Sequence, residues 1–216
     1  MPAPSVPPAP HLATGLLLAS AGSIAFSGKA IIVKLAYRYG VDPVTLIMLR
    51  MLFALPVFAL LAWWASRGKP PLSLRDALGV LGLGFVGYYL SSFLDFLGLQ
   101  YVSASLERLI LYLNPTLVLL LGWLIYSRRA SRLQALGMGI SYAGVVLVFG
   151  HEMTIQGADA AWGALLVFLS AVTYALYLVY SGEEVKRLGA LRLTGLAIAA
   201  PVLLVQILVA RGLRAA

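Results

Sequence analysis

The chain has 216 residues, 61% of them hydrophobic and only 11% charged, with a formal net charge of +8 and no cysteine. A soluble domain carries about 25% charged residues, so a water-soluble globule with one core is excluded, and so are disulfides and cysteine metal sites. A mean hydropathy of +0.93 agrees, and the positive charge, gathered in particular loops, reads as the topology bias of a membrane protein rather than as a nucleic-acid surface.

Residues 1–11 hold five prolines and no Lys or Arg, which predicts a short disordered tail. It makes a poor signal peptide: the positive n-region is missing, and the apolar run behind it is too long and contains lysines. Seven stretches long enough to cross the hydrocarbon core follow, roughly at 12–36, 44–65, 77–99, 103–126, 133–150, 162–181 and 191–210. The expected fold is an all-α, polytopic transmembrane helix bundle. Its loops are too short to fold as domains, so function must lie among the helices.

Basic residues set the orientation. Arg67, Lys69 and Arg75 lie between spans 2 and 3, Arg128, Arg129 and Arg132 between spans 4 and 5, and Lys186, Arg187 and Arg192 between spans 6 and 7. The alternate loops hold only Lys34 and Arg38, and Glu152 and Asp159 sit between spans 5 and 6. The richer loops and the N-terminus therefore face the cytoplasm. Arg211 and Arg214, at the end this places outside, oppose the bias weakly.

Five charges fall inside the spans: Lys29, Arg50, Asp95, Glu107 and Arg108. With the orientation above, all lie about 6–11 Å below the outer hydrocarbon boundary. Each such charge costs about 2.5–3.5 kcal/mol at the bilayer centre and less off-centre, so Asp95 or Glu107 is expected to pair with Lys29, Arg50 or Arg108. A substrate or proton site and a set of structural ion pairs both fit this layer; Arg50 by itself leans structural.

Polar residues at helical spacing extend the layer inward. Tyr88, Ser91, Ser92 and Asp95 follow i, i+3, i+4, i+7 in span 3. Glu107 and Asn114 are seven apart in span 4, and Ser170, Tyr174, Tyr177 and Ser181 form a stripe in span 6. A cavity wall and an interhelical packing seam are equally compatible with these stripes. Pro115 predicts a kink in span 4 that frees the carbonyl of Leu111, and Pro56 and Pro201 raise the same question in spans 2 and 7. Gly79, Gly82, Gly84 and Gly87 in span 3, and Gly137, Gly139, Ser141 and Gly144 in span 5, read as helix-packing seams. Trp63, Trp64, Trp123 and Tyr126 form an aromatic belt at the inner span ends.

Span 6 resembles span 1: Gly15-Leu-Leu-Leu-Ala-Ser-Ala aligns with Gly163-Ala-Leu-Leu-Val-Phe-Leu-Ser-Ala across a small gap, and Phe26 falls near Tyr174. A repeat after five helices would be inverted, a common transporter design. The chain is also similar to the EamA-type family of the drug/metabolite transporter superfamily. The residues that carry this are Phe26-Ser-Gly-Lys-Ala-Ile-Ile-Val-Lys34, Gly40-Val-Asp-Pro43 with Arg50, Gly98-Leu-Gln-Tyr-Val-Ser-Ala-Ser105, Asn114-Pro115, and Gln134-Ala-Leu-Gly137 with Gly144. The resemblance covers about residues 12–210. It implies a carrier of two five-helix inverted repeats that moves small metabolites, amino acids or drugs across the bacterial inner membrane by secondary transport. On that pattern residues 12–150 form the first repeat and 162–216 a second repeat lacking its last three helices. Tyr126-Ser-Arg-Arg-Ala-Ser131 departs from the family's Gly-Glu-Arg segment, so no role of that glutamate carries over.

The functional expectation is secondary transport of a small polar or amphipathic solute. Lys29, Arg50, Tyr88, Ser92, Asp95, Glu107, Arg108, Asn114, Tyr174 and Tyr177 are the candidate substrate or proton site. Asp95 or Glu107 would take up and release protons, and three cations against two carboxylates favour an anionic or zwitterionic solute. The lipid bilayer and that solute are the expected partners, with no nucleic acid, no cofactor and no metal. The alternative is a truncated, non-transporting chain, or half of an assembly such as a homodimer. An intramembrane enzyme is disfavoured: His11 and His151 are the only histidines, and neither a His-Glu-x-x-His nor a Gly-x-Ser-x-Gly pattern occurs.

Overall fold

A computed structural model describes residues 10–127, 131–155 and 159–215. Among them the chain is all-helical, with no strand. The expected disordered tail falls outside the described residues up to residue 9; helix α1 begins at Pro10 and runs to Ser27. Then come α2 (Lys29–Arg38), α3 (Pro43–Ser66), α4 (Leu74–Gly84), a π-helical turn (Phe85–Leu90), α5 (Ser91–Gly98), α6 (Ala104–Leu111) and α7 (Asn114–Tyr126). Three longer helices complete the fold: α8 (Arg132–Ile155), α9 (Ala160–Leu188) and α10 (Ala190–Ala215).

Among the described residues five segments are long and apolar enough to cross a bilayer: Gly15–Arg38, Pro43–Ser66, Leu74–Gly98, Ala104–Tyr126 and Ala160–Leu188. The chain is therefore a multi-pass membrane protein. Helices α8 and α10 stand where the fifth and seventh spans are expected.

Local sequence sets the helix starts. Asp42 accepts a hydrogen bond from the Thr45 N–H at 2.9 Å, with Pro43 in the first turn of α3. The Thr45 hydrogen bonds hold the Asp42 carboxyl below the usual carboxylate range. Ser73 caps α4 through Asp76, and Ser103 caps α6 through Leu106. Ser131 and Gln134 cap α8 reciprocally: each side chain accepts from the other's backbone N–H. Gly189, at φ +83°, ends α9 in a conformation that L side chains rarely adopt.

Several of the expected spans differ in the structure. Span 1 is locally irregular at Gly28, between α1 and α2, although the backbone there stays right-handed helical at φ −72° and ψ −14°. Span 5 continues as helix to Ile155. Span 6 continues to Leu188, because Glu183 and Glu184 pair one turn on with Lys186 (3.0 Å) and Arg187 (2.5 Å) and keep the polar end helical. At 29 residues α9 is about 44 Å long, more than the hydrocarbon core requires. Pro56 and Pro201 lie inside unbroken helices.

Helix α9 packs on α5, α6, α7 and the π-turn, and α10 packs on α3 and α4. Close backbone approach makes these seams. A Cβ at Gly84 would overlap the Ala197 carbonyl, and one at Gly87 would overlap the Tyr177 ring. Where α5 crosses α9, Gly98 and Gly163 face each other: a Cβ on Gly98 would stand 2.8 Å from the Gly163 carbonyl oxygen. Gly79, Gly82, Gly137, Gly139 and Gly144 are not seam residues among the described residues; nothing lies within 4 Å of a Cβ placed there. One core cluster, built on Ala30, Val33, Ile47, Phe96 and Leu99, joins α2, α3 and α5 beside the charged layer.

Candidate functional site

Lys29 opens α2 immediately after the irregularity at Gly28. Its Nζ pairs with Asp95 Oδ2 on α5 and lies 2.8 Å from Glu107 Oε1 on α6. One ammonium thus joins two carboxylates from two other spans. Arg108 Nε lies 3.4 Å from Glu107 Oε2, and its Nη2 donates to the carbonyl oxygens of Phe26 (2.6 Å) and Ser27 (3.2 Å). Those carbonyls belong to the last turn of α1, where a helix end lacks intrahelical donors. The cluster is neutral overall, two cations against two carboxylates. Glu107 and Asp95 are buried, whereas the Lys29 and Arg108 side chains stay 15% and 21% exposed, so access is from the cationic side.

Two aromatic rings support the cations. Phe26 lies 5.3 Å from Lys29 Nζ and 4.8 Å from Arg108 Cζ. The buried Phe96 ring lies 5.8 Å from Lys29 Nζ and 5.5 Å from Arg50 Cζ. Arg50 is otherwise exposed and meets the group through this ring rather than through a close ion pair.

The stripe read as one face of span 3 divides. The π-turn shifts the register by one residue. Tyr88 and Ser91 meet α9: the Tyr88 and Tyr177 hydroxyls are 3.0 Å apart, and the Ser91 hydroxyl is 3.2 Å from that of Ser170. Asp95, a turn further, meets α2. Tyr174 stacks on Tyr177 at 5.8 Å, and Ser181 donates to the Leu178 carbonyl of its own helix. Seven residues put Tyr88 about 10 Å along the span from Asp95, so the tyrosines form a second polar group inside the α9 seam. Ser92 is half-buried and makes no hydrogen bond to either group among the described residues.

Glu107 and Asn114 do not share one continuous face. The helix is locally irregular at Tyr112–Leu113, one turn before Pro115, where the proline ring clashes with the preceding turn. Asn114 stands just after this point with its Oδ1 buried and without a hydrogen bond among the described residues. Spans 1 and 4 are therefore both locally irregular beside the ion cluster, and span 3 carries its π-turn.

Beside the cluster opens a cavity of about 510 Å³ lined by Lys34, Tyr37, Arg38, Gln100, Ser103 and Ala104. The Tyr37 hydroxyl donates to the Phe96 carbonyl at 2.6 Å, one residue from Asp95. Sequence reasoning missed Tyr37, Phe96 and the irregularity at Gly28. The usable signal is a glycine directly before an intramembrane lysine, with aromatics one helical turn or one residue from the charges.

The sequence comparisons agree with one another. A profile of the EamA-like transporter family matches residues 13–150. The chain is 33% identical over 192 residues to the protein named "Uncharacterized transporter YcbK" of Bacillus subtilis, covering 84% of this chain and 58% of that one. It is 33% identical over 114 residues to "Uncharacterized transporter YyaM" of the same organism, covering 52% of this chain and 37% of that one. An "Uncharacterized transporter" of Archaeoglobus fulgidus is 26% identical over 171 residues, covering 79% and 57%. The chain thus spans a little over half the length of the longest-matching relatives. No solved structure matches it significantly. The family profile covers more than half of the chain, and the chain belongs to the EamA-like transporter family.

Proposed function

We propose that this chain acts in secondary transport of a small polar or amphipathic metabolite or drug across a bacterial inner membrane, with Lys29, Asp95, Glu107 and Arg108 as the site that exchanges a proton or a charged solute group. The observation that carries the reading is one ammonium shared by two buried carboxylates, set between two spans whose helical hydrogen bonding is locally irregular at Gly28 and at Tyr112–Leu113. Intramembrane charges and helix irregularities both mark functional sites. A proton arriving on Glu107 neutralises one carboxylate and leaves Lys29 to Asp95 alone. The charge change would loosen the contact between α2 and α6. Lys34 and Arg38 give the adjoining cavity a positive wall that suits an anionic or zwitterionic solute.

On this reading Asn114 offers its unpaired carbonyl oxygen to the solute, Arg50 adds positive charge beside Phe96, and Tyr88, Tyr174 and Tyr177 hold the seam with α9. Seven spans, two inverted repeats and a cytoplasmic N-terminus belong to the same proposal. They rest on the basic loop pattern and on helices standing at all seven expected positions.

The test is uptake by the chain reconstituted in proteoliposomes, with a lumenal pH dye and a panel of amino acids and amphipathic drugs under an imposed pH gradient. Solute-dependent proton movement is expected from the wild-type chain and none from Glu107→Gln. Equal proton movement with Gln at 107 removes Glu107 from the coupling. No solute-dependent signal from the wild type overturns transport by this chain and favours a non-transporting role or a need for a partner chain.

A further inference from the structure

The opposite end of span 3 carries a second cluster of charge, with Asp76 about 28 Å by helix length from Asp95. A cavity of about 360 Å³ opens where the α3–α4 loop, the first turn of α4, the end of α9 and the start of α10 converge. Its charged lining is Lys69, Asp76, Arg187 and Arg192, three cations against one carboxylate. Glu184, just outside the lining, settles only part of the imbalance. Arg187 is occupied by Asp76 at 2.6 Å and by Glu184 at 2.5 Å. Among the described residues Lys69 Nζ has only a long contact, 3.5 Å, to the Leu188 carbonyl oxygen.

Arg192 is the telling residue. It is 7% exposed, yet no carboxylate pairs with it among the described residues. Its Nη2 donates to the Pro70 carbonyl at 2.8 Å, and its buried Nε has no acceptor among the described residues. A buried guanidinium with an unused donor is costly unless an anion completes it, and its planar fork fits phosphate oxygens. The same cavity receives the first turn of α10, whose backbone N–H groups lack intrahelical acceptors and mark the positive end of a 26-residue helix.

We propose that the cavity lined by Lys69, Arg187 and Arg192 binds a phosphate group, carried by an anionic phospholipid of the adjoining leaflet. The site lies at the end of membrane-crossing helices, with Leu74 and Leu191 exposed beside it for acyl chains. The basic loops assign this end to the cytoplasmic leaflet, where anionic lipids attract basic residues.

Native mass spectrometry of the full chain, released from nanodiscs of phosphatidylcholine with and without phosphatidylglycerol, tests the proposal. Phosphatidylglycerol should be retained in preference to phosphatidylcholine. Lys69→Gln, at a residue with one long hydrogen bond, should weaken retention about fivefold. Arg192→Lys keeps the charge but loses the fork and should weaken it as well. No preference for phosphatidylglycerol, or the same retention in wild type and both variants, overturns the site. Millimolar inorganic phosphate added as competitor separates the sources: displacing no more lipid than chloride supports the lipid assignment, and displacing it selectively overturns that assignment in favour of free phosphate.

Discussion

Two polar groups lie along the third span, and they differ in what surrounds them. Around Asp95 the groups are charged, the neighbouring spans are locally irregular at Gly28 and at Tyr112–Leu113, and a cavity opens alongside. Around Tyr88 the groups are neutral, α9 runs unbroken past them, and Gly87 allows the Tyr177 ring to lie against the backbone. Both groups show as polar residues at helical spacing. Chemistry separates them: small residues and neutral hydroxyls close one interface, and buried charges hold the other. Polar spacing in a membrane helix therefore marks an interface, and the chemistry of the facing groups distinguishes one interface from another.

The largest effect should come from the charged group. Lys29→Gln leaves Asp95 and Glu107 buried together without their shared cation. Breaking a buried ion pair costs about 3–5 kcal/mol, so unfolding in detergent should shift by that order. The triple variant Lys29→Gln, Asp95→Asn, Glu107→Gln removes all three charges and should recover most of the loss while remaining inactive in uptake. Stability unchanged by Lys29→Gln alone would show that the carboxylates do not depend on Lys29.

The seam should respond to size instead of charge. Gly84→Val places a side chain on the Ala197 carbonyl, which is backbone and cannot rotate away. Overpacking of this kind costs about 1–3 kcal/mol. The same substitution at Gly82, where nothing lies within 4 Å, is the control and should be close to neutral. Equal effects at Gly82 and Gly84 would contradict the contact between α4 and α10.

How far the sequence foretells this contrast can be followed residue by residue. Charges in hydrocarbon must find each other, so pairing of Asp95 and Glu107 with cations of the same layer is readable from depth, but which of Lys29, Arg50 and Arg108 they take is not. The kink in span 4 is readable from Pro115. The irregularity at Gly28 is not, because one glycine in an apolar run is compatible with a regular helix. The π-turn leaves no composition signal, so the single face drawn through Tyr88 and Asp95 comes apart. The polar end of α9 reads as loop because its charges are counted and their i, i+3 pairing is not. Gly98 and Gly163 meet only through a long-range crossing that neither span announces. Arg192, a loop charge in the sequence, is buried by the turn at Gly189.

The smallest effect sharpens the comparison most. Tyr177→Phe removes one hydroxyl from the 3.0 Å contact with Tyr88 and leaves the stacking on Tyr174 in place. Interhelical hydrogen bonds in membranes average about 0.6 kcal/mol, so stability should fall by that order. For a seam, uptake should stay at the wild-type rate, since α9 is held there by ring packing and by the close approach at Gly87. If uptake instead falls while stability holds, the Tyr88–Tyr177 pair touches the solute. The transport path would then run about 10 Å further along span 3 than Asp95, through an interface that must open during transport. The two groups would be successive stations on one path, and the unbroken helix α9 would be the element that moves.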